Sequence, residues 1–122
     1  MTPETLSANL NAFKKAGSIY GVMFQRGHEV IYSKLPFTSD KAKELSVVIN
    51  DIVLFYAQEG QVLDQLAFRH DDGNLMIFLK EDHQLVVLHH SPEEVDSIAD
   101  AATSFLCDYL TGEAISLLGG SS

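Results

Sequence analysis

The sequence predicts an α+β fold in which five strands, read as a hairpin and a three-stranded meander, are accompanied by three helices, with helices on both sides of the meander. Three observations carry that expectation. The stretch from Asp40 to Glu59, DKAKELSVVINDIVLFYAQE, has helical periodicity and more apolar surface than one buried face can use. Asp72-Gly73 lies between apolar segments and signals a hairpin, because the turn it favours needs positive φ values. In the segment after it, Leu75, Ile77 and Leu79 alternate with Met76 and Phe78, so both faces of that strand are apolar and both need a cover.

Thr2, Pro3 and Glu4 open the first helix, with a hydroxyl N-cap, proline at the first helical position and an acid near the positive end of the dipole. Leu6, Leu10 and Phe13 form its narrow apolar stripe, and Gly17 reads as its C-cap, giving a helix from about Pro3 to Ala16. The segment SIYGVMFQRGHEVIYSK then reads as two strands around a turn at Arg26-Gly27-His28. Pro36 ends the second strand, while Thr38, Ser39 or Asp40 caps the central helix and Gly60 closes it. Turns at Asp72-Gly73 and at Glu81-Asp82-His83 divide the next stretch into a three-stranded meander. Ser91-Pro92-Glu93-Glu94 has the form of a capping box and starts the last helix. In that helix Val95, Ile98, Ala99, Ala102, Phe105, Leu106, Tyr109 and Leu110 make one apolar face, and Asp96, Ser97, Asp100, Ser104, Asp108 and Thr111 point outward. A single domain is expected over residues 1–112, followed by a tail, 113–122, in which Ile115, Leu117 and Leu118 stand between glycines, open to docking on a surface or to mobility.

The central helix differs from the last one. At 100° per residue, Lys41, Leu45, Val48, Ile49, Ile52, Phe55, Tyr56 and Glu59 share one side, with Ala42 and Val53 at its margin. On the opposite side Lys43, Val47, Asn50, Leu54 and Ala57 recur at alternating spacings of four and three, the rhythm of a helix that meets a second helix along a seam. The expectation is that this helix packs on the sheet with the first side and on another chain with the second. Asn50 stands in the middle of the seam, where a polar residue sets register.

Composition narrows the function classes. With 122 residues, 46% hydrophobic and 20% charged, the chain is globular and of one-domain size. A net charge of −9 without a basic patch opposes binding to a phosphate backbone, so nucleic acid is not an expected partner. One cysteine, Cys107, forms no internal disulfide and reads as structural. No basic-then-apolar leader stands at the N-terminus and no apolar run approaches the ~20 residues of a membrane span, so a cytoplasmic protein without membrane insertion is expected.

Motifs for catalysis, cofactors or metals are missing: no nucleophile elbow, glycine-rich phosphate loop, His-Glu metal helix or cysteine pair occurs. His89 and His90 are adjacent on a strand and point to opposite faces, which prevents joint chelation. The pairs Asp71-Asp72 and Glu81-Asp82 are the acids that turn chemistry already favours. The expectation is a protein that binds and does not catalyse, with no cofactor and no metal.

The element order helix, strand, strand, helix, three strands, helix resembles the roadblock family of dynein light chains and Ras-like GTPase regulators, in its prokaryotic form. Ile19-Tyr20-Gly21-Val22-Met23-Phe24, Gly27, Val30-Ile31, the long helix and the meander from Leu66 to Leu88 carry the resemblance. One departure is Arg26-Gly27 where the family often has Asp-Gly. The resemblance implies a roadblock/longin-like sheet in the order second, first, fifth, fourth, third, with the central helix alone on one face and two helices behind. It also implies that this sheet is five-stranded and antiparallel, and a homodimer through the central helix and the third strand, which joins its mate to extend the sheet. The interface residues expected on that basis are Lys43, Val47, Asn50, Asp51, Leu54, Ala57 and Gln58 of the helix with Leu66 and Phe68 of the strand. In the implied topology His28 and His83 lie in turns at one end of neighbouring strands. Arg26, in an exposed turn, is the residue best placed to touch a GTPase.

Three functions follow as alternatives. The first is a non-enzymatic homodimeric scaffold or regulator that binds a small Ras-like GTPase. The second is an acidic dimeric secretion-type chaperone, disfavoured because the last helix is polar outside while such proteins need exposed apolar grooves. The third is a small-ligand sensor whose helical layers enclose a pocket.

Overall fold

The computed structural model describes residues 2–60, 64–70 and 73–119. Its elements are α1 (Pro3–Phe13), β1 (Ile19–Arg26), β2 (Glu29–Lys34), α2 (Ser39–Gln58), β3 (Gln65–His70), β4 (Gly73–Lys80), β5 (His83–His89) and α3 (Val95–Gly119), with short 3₁₀ segments at Lys14–Ala16 and Pro92–Glu94. The sheet is antiparallel throughout, in the order β2-β1-β5-β4-β3. Both long-range helix starts are capped as the sequence indicates: the Thr2 hydroxyl accepts from the Thr5 N–H, and the Thr38 hydroxyl from the Lys41 N–H.

The alternation in β4 separates two cores. Met76 and Phe78 join Val22, Phe24, Leu85 and Val87 beneath α1 and α3, which contribute Leu6, Leu10, Phe13, Ile98, Ala102, Phe105, Leu106 and Tyr109. Leu75 and Ile77 join Met23, Val86 and Leu88 under Ile49 of α2. Phe24 is the hub of the first core, edge-on to Phe105 at 5.2 Å and to Tyr109 at 4.8 Å. Every residue of β5 is buried, as expected of a central strand covered on both faces. Gly21 is required by close packing, since a Cβ there would stand 2.9 Å from Leu88 Cδ1 and 3.1 Å from Pro36 Cδ.

Several expectations at element ends are corrected. α1 ends at Phe13 and tightens into a 3₁₀ turn; Gly17 has φ −171°, an extended conformation, and is no left-handed C-cap. What demands glycine there is space, because a Cβ would meet Glu94 Oε2 at 2.7 Å and Glu94 Cβ at 3.2 Å. The capping box does not form either. Ser91 makes no side-chain cap bond, and residues 92–94 are a 3₁₀ turn before α3. Glu94 instead turns to Ser18, whose backbone N–H donates to its carboxylate, while the Ser18 hydroxyl accepts from the N–H groups of His90 and Ser91. One serine thereby ties the start of β1 to the end of β5 and the start of α3. The contact joins residues far apart in sequence, so no local motif could announce it.

The turns also differ in detail. Gly27 takes φ +58° in the β1–β2 turn, as its sequence position suggests. The β4–β5 turn is the two residues Glu81 and Asp82, with Glu81 at φ +55°, so His83 belongs to β5 and is buried. His28 and His83 consequently do not form a pair of exposed turn histidines. His83 stacks on Phe24 on the α3 side, whereas His28 reaches toward Asn50 of α2 on the other side. His70 pairs with Gly73 across the β3–β4 connection, and Asp71 and Asp72 lie outside the described residues. At the C-terminus the helix runs through Gly112 to Gly119, where the sequence suggested a tail from residue 113.

The backbone bond from Ser18 and the Ser18 side chain hold the Glu94 carboxyl below the usual glutamate range. A carboxylate with a depressed folded pKa adds stability above its unfolded value, about 4.3, and loses it as pH falls through the lower folded value. Replacing Glu94→Gln is therefore expected to lower stability at pH 7 and to flatten its decline as the pH falls below the unfolded value and through the lowered folded one. Urea unfolding of both proteins across that window measures the difference.

Candidate interaction surface

The surface of α2 is the candidate site, and its rotation about its own axis decides which residues compose it. Ser46, Ile49 and Asn50 are buried, with Leu45 and Val53 partly buried beside them. Val47, Val48, Leu54 and Phe55 are 51%, 51%, 50% and 56% exposed. The helix does have two apolar sides, but they are turned roughly 90°, at 100° per residue, from the sides that periodicity indicates. Val48 and Phe55, expected on the sheet, face outward. Asn50, expected in the middle of the outer seam, is only 6% exposed and faces the sheet.

The physical reason is a row of polar side chains on the sheet beneath the helix. Gln25 on β1 and Gln84 on β5 are opposite each other and buried on the α2 side. Gln25 Nε2 donates to Gln84 Oε1 at 3.1 Å, and Gln84 Nε2 donates to the Asp82 carbonyl at 3.3 Å. The remaining acceptor, Gln25 Oε1, takes the Ser46 hydroxyl at 2.6 Å. One turn on, Asn50 Nδ2 lies 3.1 Å from His28 Nε2. Buried amides left without partners cost about 1–3 kcal/mol each, so the helix settles with its serine and asparagine down. The signal was present in the sequence as two glutamines in otherwise apolar strands, but their common partner was not.

Of the other expected interface residues, Lys43, Val47, Asp51, Leu54, Ala57 and Gln58 are exposed on α2. Val47, Val48, Asp51, Leu54, Phe55 and Gln58 form one stripe, with Asp51 its polar midpoint in place of Asn50. Phe68 is exposed on β3, an edge strand, whereas Leu66 is partly buried in the core under α2. Phe37, just before α2, is a further exposed aromatic that sequence reading passed over.

Arg26 sits at the other end of the sheet, last in β1 and exposed. Its Nε donates to Asp82 Oδ2 at 2.7 Å, and that bond holds the Asp82 carboxyl below the usual carboxylate range. The guanidinium is thus engaged within its own chain. Asp82 also approaches His83 Nδ1 at 3.0 Å, without hydrogen-bond geometry. Cys107 lies 3.5 Å from Lys80 Nζ, a neighbour supplied by the fold and not by the local sequence. Among the described residues no group of three or more His, Cys, Asp or Glu side chains could hold a metal ion, and no helix is long and apolar enough to cross a membrane. A cleft of about 620 Å³ opens where the C-terminal half of α2, through Val53, Tyr56 and Ala57, passes Leu79 and Lys80 of β4.

A five-stranded antiparallel sheet in this order, with one long helix alone on one face and two helices on the other, is the roadblock fold. Solved structures share it. Myxococcus xanthus MglB matches with a TM-score of 0.72 at 13% identity, over 90% of this chain and 90% of that one. A roadblock/LC7 domain from Streptomyces avermitilis matches with a TM-score of 0.63 at 13% identity, over 83% and 93%. An MglB with tetrameric arrangement matches with a TM-score of 0.65 at 13% identity, over 86% and 88%. Comparison of the sequence with protein-family models and with curated proteins finds no match. At these identities the likeness is one of fold, and the side chains on α2 are this chain's own.

If the Ser46 hydroxyl sets the rotation of α2, Ser46→Ala should cost about 1–3 kcal/mol by stranding Gln25 Oε1 in the interior. Ala42→Ser, at a half-buried position on the same helix, serves as the comparison in chemical denaturation, and an equal loss in the two would refute the assignment.

Proposed function

We propose that this protein is a non-enzymatic, homodimeric scaffold of the cytoplasm that binds a small Ras-like GTPase. The observation that carries the proposal is the outward stripe of Val47, Val48, Leu54 and Phe55, four large apolar side chains about half exposed along one helix face. Single exposed apolar residues are ordinary, but a contiguous row on a well-formed helix is the kind of surface that another chain covers. β3 lies beside it as an unpaired sheet edge, and Phe68 extends the apolar surface onto that edge. In the proposed dimer α2 packs on its counterpart and β3 pairs with β3 of the second copy, making one continuous sheet. The tetrameric MglB supports self-association in a protein of this fold. The two apposed α2 helices then form the platform for the GTPase, a role inferred from the resemblance to Ras-like GTPase regulators.

Arg26 has no part in this reading. It is held by Asp82, at the turn end of β1, and the scaffold acts by binding and positioning. The acidic balance, −9 overall, suits a partner with a basic contact surface.

The double change Leu54→Asp and Phe55→Asp should convert a dimer into monomers that retain the fold, because both positions are exposed within one chain. Burial of such side chains contributes about 1.5–3 kcal/mol each, so the dissociation constant should rise at least a hundredfold. Multi-angle light scattering reads the mass, and a monomeric parent or an unaffected dimer overturns the assembly. Pull-down on immobilised host GTPases loaded with GDP or GTP tests the partner separately: a stable dimer that none of them retains overturns the GTPase assignment alone.

A further inference from the structure

The positive charges of this acidic chain are gathered at one place. Five of its eight lysines and arginines, Lys14, Lys15, Lys34, Lys41 and Lys43, stand in the segments 14–16 and 34–44, with only two of its seventeen acids, Asp40 and Glu44. The fold brings the two segments to one corner. Lys14–Ala16 is the 3₁₀ turn that leads into β1, and Lys34, the end of β2, pairs with Val22 in the first half of β1. Pro36 then packs on Gly21, its Cδ 3.1 Å from where a Cβ there would stand, before α2 begins at Ser39. At 1.5 Å per helical residue, Lys41 and Lys43 lie about 3 and 6 Å along α2 from its first residue. In the sequence the segments are separate and no basic patch is visible; the β1–β2 hairpin makes one by returning the chain to its starting end.

These charges are not neutralised within the chain. Among the described residues none of the five lysines forms an ion pair with a carboxylate, whereas Arg26 is held by Asp82. Burial and the charge of Lys34 push the Lys14 ammonium below the ordinary lysine range, so the cations at this corner are near enough to act on one another. Lys15, Lys34, Lys41 and Lys43 are exposed, and the N-terminus of α2 adds the positive end of its dipole. Between the lysines the connection from β2 to α2 presents Pro36 and Phe37, both exposed, the phenylalanine to 44%. The corner is thus an apolar apex ringed by flexible cations.

The clefts beside Val53, Tyr109 and Met76 take no lining residue from this corner, so none of them gathers its ammonium groups around a small anion. Both arginines, the side chains that grip a phosphodiester in a bidentate manner, lie elsewhere. Lysine is a hydrated point charge suited to a diffuse anionic layer, and a half-exposed aromatic ring suits the boundary between lipid headgroups and acyl chains. We propose that this corner rests on an anionic lipid bilayer, with Lys15, Lys34, Lys41 and Lys43 among the headgroups and Phe37 at the interface between them. The chain lies on the membrane and does not cross it. Glu29, at the other end of β2, is about 16 Å from Lys34, twice the roughly 8 Å over which physiological salt screens a charge. Glu81 and Asp82 share that far end, so the acidic part of the molecule does not cancel the attraction. The β2 edge is also the one opposite β3, and this contact requires neither the dimer nor the GTPase.

The test is flotation of the full chain with phosphatidylcholine vesicles, with and without about 30% phosphatidylserine, in about 0.1 M salt. Binding is expected to the anionic vesicles alone, weakening as salt is raised. Changing Lys15→Gln, Lys34→Gln, Lys41→Gln and Lys43→Gln together should weaken it about fiftyfold or more, at about fivefold for each lysine near the surface. Phe37→Ser should weaken it about tenfold by removing the apolar contact. All five positions are exposed, so the thermal unfolding curve should be unchanged; if the fourfold variant does not fold, Lys34→Gln, Phe37→Ser and the salt series decide. Equal binding to neutral vesicles, or undiminished binding in the lysine variants, overturns the proposal. So does tighter binding to a DNA duplex or to polyglutamate than to anionic vesicles, which would make a soluble polyanion the occupant.

Discussion

The hydrogen-bonded chain from Ser46 through Gln25 and Gln84 to the Asp82 carbonyl governs what this molecule shows to its surroundings. Apolar burial alone does not fix the rotation of α2. Turning Val48 and Phe55 onto the sheet would bring about 1.5–3 kcal/mol for each side chain fully covered. That rotation, however, lifts Ser46 off Gln25 and leaves the buried Gln25 Oε1 without that partner, at about 1–3 kcal/mol. It would also withdraw Ile49 and Val53 from the core they now share with Met23, Ile77 and Val86. The apolar gain and loss are of similar size, and the polar effect that remains is directional. Burial rewards any apolar surface placed against any other, but the amide of Gln25 is satisfied from one side only.

This constraint makes the two faces of the sheet different materials. Beneath α1 and α3 lies a dense apolar layer in which Phe24 packs edge-on against Phe105 and Tyr109. Beneath α2 lies a smaller apolar patch bordered by glutamine, serine and asparagine. The helix over the mixed face keeps part of its apolar surface outside, and in the proposed assembly a second copy covers it. The interior polarity of one layer thereby becomes the exterior apolarity of the next. Ser18 does comparable work at the opposite end of the sheet, binding three segments through its backbone and side chain and holding α3 against the start of β1.

Much of the fold was legible from local signals. Thr2 and Thr38 mark helix starts because a capping hydroxyl answers to the backbone three residues on, and Gly27 marks a turn because few other residues accept its φ. The two-sided apolar pattern of β4 foretold helices on both faces, and the face of α3 was read residue by residue. Illegible were the features with distant partners. Ser91 and Glu94 have the spacing of a capping box, yet Glu94 finds a better donor in Ser18, 76 positions away. Gly17 looked like a helix terminator and proved to be the gap that admits Glu94. Glu81 gives no hint of a left-handed turn, and so the sequence reading starts β5 one residue too late and leaves His83 in the turn instead of the core.

For the interaction surface the division is sharper. Periodicity established from the chain alone that the helix from about Asp40 to Glu59 carries two apolar sides, because spacing along a helix depends on nothing outside it. Val47 and Leu54 were recognisable as outward on that basis. Which way the helix turns was decided only in the assembled structure, where Gln25, Gln84 and His28 arrive from separate strands and turns to meet Ser46 and Asn50. A hydrophobic pattern specifies that a face is buried. The partner that a buried amide or hydroxyl requires is specified by three-dimensional position, and it is that requirement which moved Asn50 inward and set Val48 and Phe55 on the surface.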